Sequence, residues 1–467
     1  RLATRRPARS YTLMSTGPAD GRLNSIRIQR LTPDELMSTV TVEGWSHVEE
    51  ALARGRGAFF LTAHIGSWEV AALGTGLLLP DPGLAVINRP LDNPHLEKEL
   101  ARLAVGQDAR IIAECTVSSG VMFISAHYAS RARLDIPDIA RRVIRSVGYS
   151  KELFDADACT IMTSFMDHTA TDYRPYDLEH MDDADISLIT AKHQVTVFGY
   201  ACDHTPALMP LPIWLAHRLA DALDSPKVQK KLPYLLPDGK CQVGIEFRNG
   251  QPNRIHSITL VASQTDADAA TPEQLRDDLT EQVIEPALKK EKYQPDEKTQ
   301  IFINPEGPLI GGGPAAHSGL TGRKTGIDSY GEYARHSGAA LSGKDPLRID
   351  RVGAYAARYA AKNVVAAGLA AECEVQLSYS IGASRPVSLR VRTFGSGPVN
   401  DDKALTARVA EVIDFRLAAI VRDMQLQKLP ATQSDDGFYQ RLAVYGHMGR
   451  TDLDVPWEKT DKAKALK

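Results

Sequence analysis

The chain has 467 residues, 43% hydrophobic and 24% charged, an ordinary globular composition that is too long for one core, so two or three domains are expected. Its 55 basic and 58 acidic residues leave a net charge of −3, which argues against general affinity for nucleic acid or anionic membranes. A membrane-spanning helix is excluded, since the best apolar stretch, 58–79, is interrupted by His64 and Glu69.

The first thirty residues carry seven arginines and one acid, Asp20. Transit peptides, anionic-surface anchors and unstructured tails share that composition, and a flexible basic segment is the expectation for 1–37. From 38 to 103 the pattern is α/β. Helices are predicted over 45–56, 67–79 and 94–103, and short apolar runs over 57–63 and 85–87. Two buried strands separated by a helix suggest a βαβ unit within 38–108.

The texture changes at 106–110, and the region from 109 to 467 reads as α+β with antiparallel pairs. A loosely alternating stretch over 110–124 leads into a helix over 138–147. Strands over 241–247 and 255–262 flank Asn249-Gly250, a strong hairpin signal. Helices follow over 272–290 and 350–367, the second Ala-rich and ended by Gly368. An antiparallel pair over 374–379 and 387–391 and a helix over 402–418 complete the repeated units. Five cysteines (Cys115, Cys159, Cys202, Cys241, Cys373) lack Cys-x-x-Cys spacing, which excludes a disulfide framework and a zinc ribbon and suits the cytoplasm.

Chemistry concentrates in the C-terminal half. Gly311-Gly312-Gly313 precedes Gly319-Leu320-Thr321-Gly322-Arg323-Lys324. Glycines let backbone amides approach an anion, and the cations add charge-assisted donors. A structural turn would show the same pattern. Ser342-Gly343-Lys344-Asp345-Pro346 then leads through Arg348 to Asp350 at the start of the Ala-rich helix. Helix N-termini favour anions, and acids there can hold a divalent metal, although a capped helix with a solvated first turn looks alike locally. Taken together, the two motifs suggest a polyphosphate pocket.

These motifs, with Asp328-Ser329-Tyr330-Gly331, Phe198-Gly199-Tyr200-Ala201, Asp238-Gly239-Lys240 and the tail Tyr445-Gly446-His447 to Trp457-Glu458, closely resemble the S-adenosylmethionine synthetase (methionine adenosyltransferase) family over about 109–467. The resemblance implies a fold of repeated α/β domains with antiparallel sheets, a homodimer or homotetramer with sites between subunits, and ATP and methionine as substrates. Methionine sulfur attacks C5′ of ATP, and the tripolyphosphate leaves and is cut to pyrophosphate and phosphate. By the same resemblance Lys240, Arg323, Lys324, Lys344 and Arg348 form the tripolyphosphate clamp. Arg348 stands where lysine is usual. Asp350 is a Mg²⁺ ligand, Glu114 belongs to a K⁺ site, and Phe302 stands near the methionine and adenine pocket.

Two departures bear on activity. The family's Gly-His-Pro-Asp-Lys segment, with its leaving-group histidine and a magnesium aspartate, does not occur in this chain. Three usually acidic positions around methionine are histidines: His127, His193 and His317. The segment 38–103, with Gly44-Trp45, His64-Ile65-Gly66-Ser67-Trp68-Glu69 and Asn88-Arg89-Pro90, resembles a fragment of the late lipid A acyltransferases, in which a His-x4-acid pair deprotonates an acceptor hydroxyl. The expectation is an S-adenosylmethionine synthetase-like transferase, divergent or impaired. Alternatives are a nucleotide-binding, non-catalytic assembly or regulatory protein and a lipid A-type acyltransferase using His64 and Glu69.

Overall fold

The computed structural model describes residues 110–130, 135–168, 178–398, 401–432 and 438–467. The elements expected over 38–103, and the His64/Glu69 pair, lie outside them. All five cysteines are free thiols.

The stretch expected to alternate over 110–124 is two strands, β1 (Arg110–Ser118) and β2 (Val121–Ala129), paired antiparallel. Ser119 and Gly120 make the turn with φ of +47° and +81°, a left-handed pair that matches strand twist. Helix α1 (Ile136–Val147) starts two residues earlier than expected, because Asp135 caps it by accepting from Asp138 N. Strand β3 (Thr160–Asp167) then joins β2 in parallel. One face of this sheet buries Ile124 and Ala126, while Val121, Phe123, Met162 and Met166 stay exposed on the other.

Next come β4 (Val195–Cys202), α2 (Leu211–Leu223) and the longest hairpin, β5 (Leu235–Arg248) with β6 (Gln251–Gln264). Asn249 and Gly250, at φ +52° and +78°, turn it as expected. Helix α3 (Pro272–Leu279) loosens into a π turn, Thr280–Ile284, ahead of a last turn whose Pro286 lacks an N–H. Strands β7 (Gln300–Ile303) and β8 (Leu309–Ile310) both pair in parallel with β6. Leu215 and Leu219 of α2 and Leu275 and Leu279 of α3 share the hydrophobic core with Ile258 and Leu260 of β6. The short β9 (Gly319–Leu320) returns to the edge of β1.

Helix α4 (Ile349–Ala366) is buried all round, the pattern of a core helix rather than a surface one. The sheet of β4, β10 (Glu372–Tyr379) and β11 (Ser388–Arg392) packs on it so closely that a Cβ at Gly199 would lie 2.0 Å from the Ala357 carbonyl. The helix expected over 402–418 is two, α5 (Asp402–Val412) and α6 (Leu417–Asp423). Between them the Asp414 carboxylate accepts from Arg416 N and clasps its guanidinium, which stops the first helix and starts the second. The C-terminal tail packs back onto α4: Trp457 is fully buried and stacks on Tyr355, with ring centroids 3.7 Å apart.

Candidate active site

The loop leading into α4 is held from two sides. On the first, Ala113 N donates to Gly343 O at 2.7 Å and Asp345 N to Ile111 O at 2.9 Å, so β1 carries the loop along its edge. Gly343 has φ +79°, and a Cβ there would meet Ala113 O at 2.2 Å, so glycine is required. On the second, Arg351 Nε donates to Leu341 O at 2.9 Å, and Ser342 Oγ lies 3.1 Å from His447 Nε2.

This loop delivers its charges to Asp350, a fully buried carboxylate in the first turn of α4, where the helix dipole favours it. Arg348 Nε stands 3.1 Å and Lys344 Nζ 3.6 Å from Oδ2. His193 Nδ1 is 3.4 Å from Oδ1, close enough for an ion pair when protonated. Oδ1 is buried and accepts no hydrogen bond. Burial presses the Lys344 ammonium below the usual lysine value, against the pull of Asp350; Arg348 adds to the depression. Lys344 and Glu114 line a recess of about 220 Å³ with Ile112, Thr321, Gly322 and Ser342. The Glu114 carboxylate also favours the charged lysine.

The structure therefore gathers Glu114, His193, Lys344, Arg348 and Asp350. The remaining candidates have no hydrogen bond or ion pair to that cluster among the described residues. Arg323 is exposed and gives Nη1 to Ser318 O at 3.2 Å, and Lys324 is exposed beside it. Lys240 and Phe302 share the open face of the β5–β6–β7 sheet, Lys240 opposite Val261 and Phe302 opposite Thr259. His127, exposed on β2, stacks against His168 with Nδ1 3.3 Å from its Nε2. His317 is exposed at the end of the turn Gly313–Ala316. The three histidines are not joined in one pocket within a chain.

Sequence reasoning passed over Asp238, two residues before Lys240. Tyr149 OH donates to its Oδ1 at 3.0 Å, its Oδ2 is buried without a partner, and a Cβ at Gly312 would lie 2.6 Å from that atom. The Asp-x-Lys spacing put both on one strand face, which is the signal that could have found it.

Among the described residues no group of three or more His, Cys, Asp or Glu could hold a metal by itself. Asp350 Oδ1, buried and accepting no hydrogen bond, does fit Mg²⁺, which is commonly bound by one or two carboxylates together with substrate phosphates. Glu114 offers a single exposed carboxylate, which does not by itself make a cage for K⁺.

Comparison with known proteins covers the stretch of chain that holds these residues. Residues 100–170, 188–309 and 311–459 match, in that order, the models for the N-terminal, central and C-terminal domains of S-adenosylmethionine synthetase. Residues 21–115 match the model for bacterial lipid A biosynthesis acyltransferase. The S-adenosylmethionine synthase of Synechococcus sp. (strain JA-3-3Ab) is 43% identical over 371 residues, which cover 77% of this chain and 89% of that protein. Those of Rippkaea orientalis and Synechococcus elongatus are 41% and 43% identical, covering 77% and 79% of this chain and 88% and 91% of their own lengths.

Proposed function

The chain belongs to the S-adenosylmethionine synthetase family and is a methionine adenosyltransferase-like enzyme, and from that premise we propose that the Asp350 cluster receives the polyphosphate of ATP. The observation that carries this reading is a buried carboxylate with two cations within 3.6 Å, set at a helix N-terminus beside an open recess.

In this reading methionine sulfur forms a bond to C5′ of ATP, and the C5′–O bond breaks with its electron pair leaving on tripolyphosphate. Negative charge builds on the leaving oxygen. Lys344 and Arg348, already held by Asp350, meet that charge without having to reorganise. Asp350 Oδ1 would hold Mg²⁺, whose chemistry when bound is to neutralise charge on the phosphate chain. Glu114 is the residue we assign to K⁺.

The remaining cations belong to the same scheme through a second copy. Lys240, Arg323 and Lys324 stand on open surfaces, and the exposed apolar residues Val121, Phe123, Met162 and Met166 make one sheet face suited to association. A homodimer or homotetramer would bring such clamps to Asp350. The protein is placed in the cytoplasm in this reading; no helix among the described residues is long and apolar enough to cross a membrane.

Turnover is expected to be low. The chain has no Gly-His-Pro-Asp-Lys segment, and losing a positioned acid alone costs about 10²–10⁴-fold in rate. Incubation with ATP, Mg²⁺ and methionine, with S-adenosylmethionine measured by mass spectrometry, tests this. A rate equal to that of the Synechococcus relative refutes the impairment. ATP binding without any product favours the non-catalytic, nucleotide-binding reading.

A further inference from the structure

His447 lies outside the clamp yet touches the loop that carries it. Its ring is fully buried, and both nitrogens are engaged: Nε2 with Ser342 Oγ at 3.1 Å and Nδ1 with Tyr355 OH at 2.8 Å. The backbone is pinned as well. His447 N donates to Asp328 O at 2.8 Å, and Trp457 Nε1 donates to His447 O at 2.9 Å. Tyr355, on α4, is itself stacked on Trp457. The imidazole is therefore a fixed post between the core helix and the loop.

Ser342 and Lys344 lie on one loop, separated by Gly343. On the β1 side that loop is fixed by Ala113 N to Gly343 O and by Asp345 N to Ile111 O. On the side of the core helix it is fixed by His447 through Ser342 and by Arg351 through Leu341, so freeing Ser342 leaves the loop that carries Lys344 with one hold fewer on that side. We propose that His447 is a positioning residue for Lys344, acting by holding Ser342. The inference rests on the reading that Lys344 meets phosphate.

Burial, reinforced by the charges of Arg351 and Arg450, holds the His447 ring well below the usual histidine value, so it remains neutral. Burial pushes the Tyr355 hydroxyl up to about 12, so it keeps its proton. A neutral ring has one donor and one acceptor nitrogen, so it can bridge the two hydroxyls without adding charge behind the anion site.

Amide variants separate its two contacts. In His447→Gln the side-chain nitrogen falls near the place of Nε2 and keeps Ser342; in His447→Asn it falls near Nδ1 and keeps Tyr355. The full chain is titrated calorimetrically with ATP and Mg²⁺, without methionine, in the parent and in a Lys344→Ala background. Loss of the Ser342 contact in His447→Asn should weaken ATP about 5- to 10-fold. His447→Gln should stay within about 2-fold of the parent, and His447→Asn should add nothing once Lys344 is gone.

Equal weakening by His447→Asn with and without Lys344, or none at all, overturns the proposal. If Lys344→Ala leaves ATP affinity unchanged, the phosphate reading of Lys344 fails and the proposal falls with it. Should His447→Asn lose its circular-dichroism signature of folding, Ser342→Ala removes the same contact from the other side. An unchanged ATP affinity there is equally decisive against it.

Discussion

Replacing Glu458 with glutamine alters one atom of a buried carboxylate that accepts four hydrogen bonds. Glu458 Oε1 accepts from Arg358 Nε at 2.9 Å and from Gly449 N at 2.8 Å; Oε2 accepts from Arg358 Nη2 at 2.8 Å and from Lys362 Nζ at 2.7 Å. Whichever way the amide turns, its NH₂ faces two donors. Arg358, fully buried, keeps three bonds to the carbonyls of Tyr200, Ala207 and Leu208 but loses its counter-charge, and Lys362 loses its own. Burial alone would raise the Glu458 carboxyl, yet the Arg358 and Lys362 charges hold it below the ordinary carboxylate range, so it is ionised at neutral pH. Breaking a buried pair from one side costs about 3–5 kcal/mol. For a unit of this size that is a fall of up to about 10 °C in melting temperature. The depressed value also fixes the sign: the stabilisation is present above about pH 4.5 and drains away as pH falls through the folded value. Differential scanning calorimetry of Glu458→Gln, alone and with Lys362→Met, is the assay. The double variant should recover part of the loss because one stranded ammonium is gone. A single variant melting within about 1 °C of the parent would show that the triad contributes nothing.

Two further outcomes follow from the packing and the charges. Gly199→Ala places a methyl 2.0 Å from the Ala357 backbone on a helix with no room to retreat; a loss of about 3 kcal/mol in urea unfolding is expected, and a neutral effect would contradict the observed approach of β4 to α4. Asp328 is pushed up to about 6 by burial, against the pull of Arg351, so it destabilises the fold increasingly as pH rises from about 4 through 6. Asp328→Asn should therefore gain up to about 2 kcal/mol over the parent at pH 7.5 and almost nothing at pH 4, and parallel stability curves would refute this.

Where an element is set by neighbours in the chain, its residues announce it. Asn249-Gly250 marks a hairpin because both residues accept left-handed backbone, and Gly368 ends α4 at φ +72° for the same reason. Ser119 adopts that backbone with no such preference, so the loosely alternating stretch over 110–124 does not show where β1 turns into β2. The break after Val412 depends on Asp414 turning back to Arg416, a side-chain choice that helical periodicity does not register. The site divides in the same way. Lys344, Arg348 and Asp350 share one loop and one helix turn, and their grouping could be read from the order of residues. His193 reaches Asp350 from the stretch just before β4, and His447 reaches Ser342 across 105 residues of chain. Neither contact has a local signature. The resemblance to the family implies that Lys240 and Arg323 join Asp350 in one clamp, but in the structure the hydrogen bonds of Arg323 go to Ser318 and the ion pairs of Asp350 go to Lys344, Arg348 and His193.

The tail's place in the core also sets an order of events during synthesis. Arg358 leaves the ribosome 100 residues before Glu458, the carboxylate that neutralises it. At about 5–20 residues per second, α4 must wait some 5–20 s for its counter-ion, and for Trp457 to cover Tyr355. Throughout that interval α4, a helix whose residues are buried nearly all round in the finished fold, carries an unmatched guanidinium. A nascent chain stalled or cut before residue 457 would thus present the Tyr355–Arg358–Lys362 side of α4 to chaperones and proteases. Closure of the α4 core waits on the stretch from His447 to Glu458.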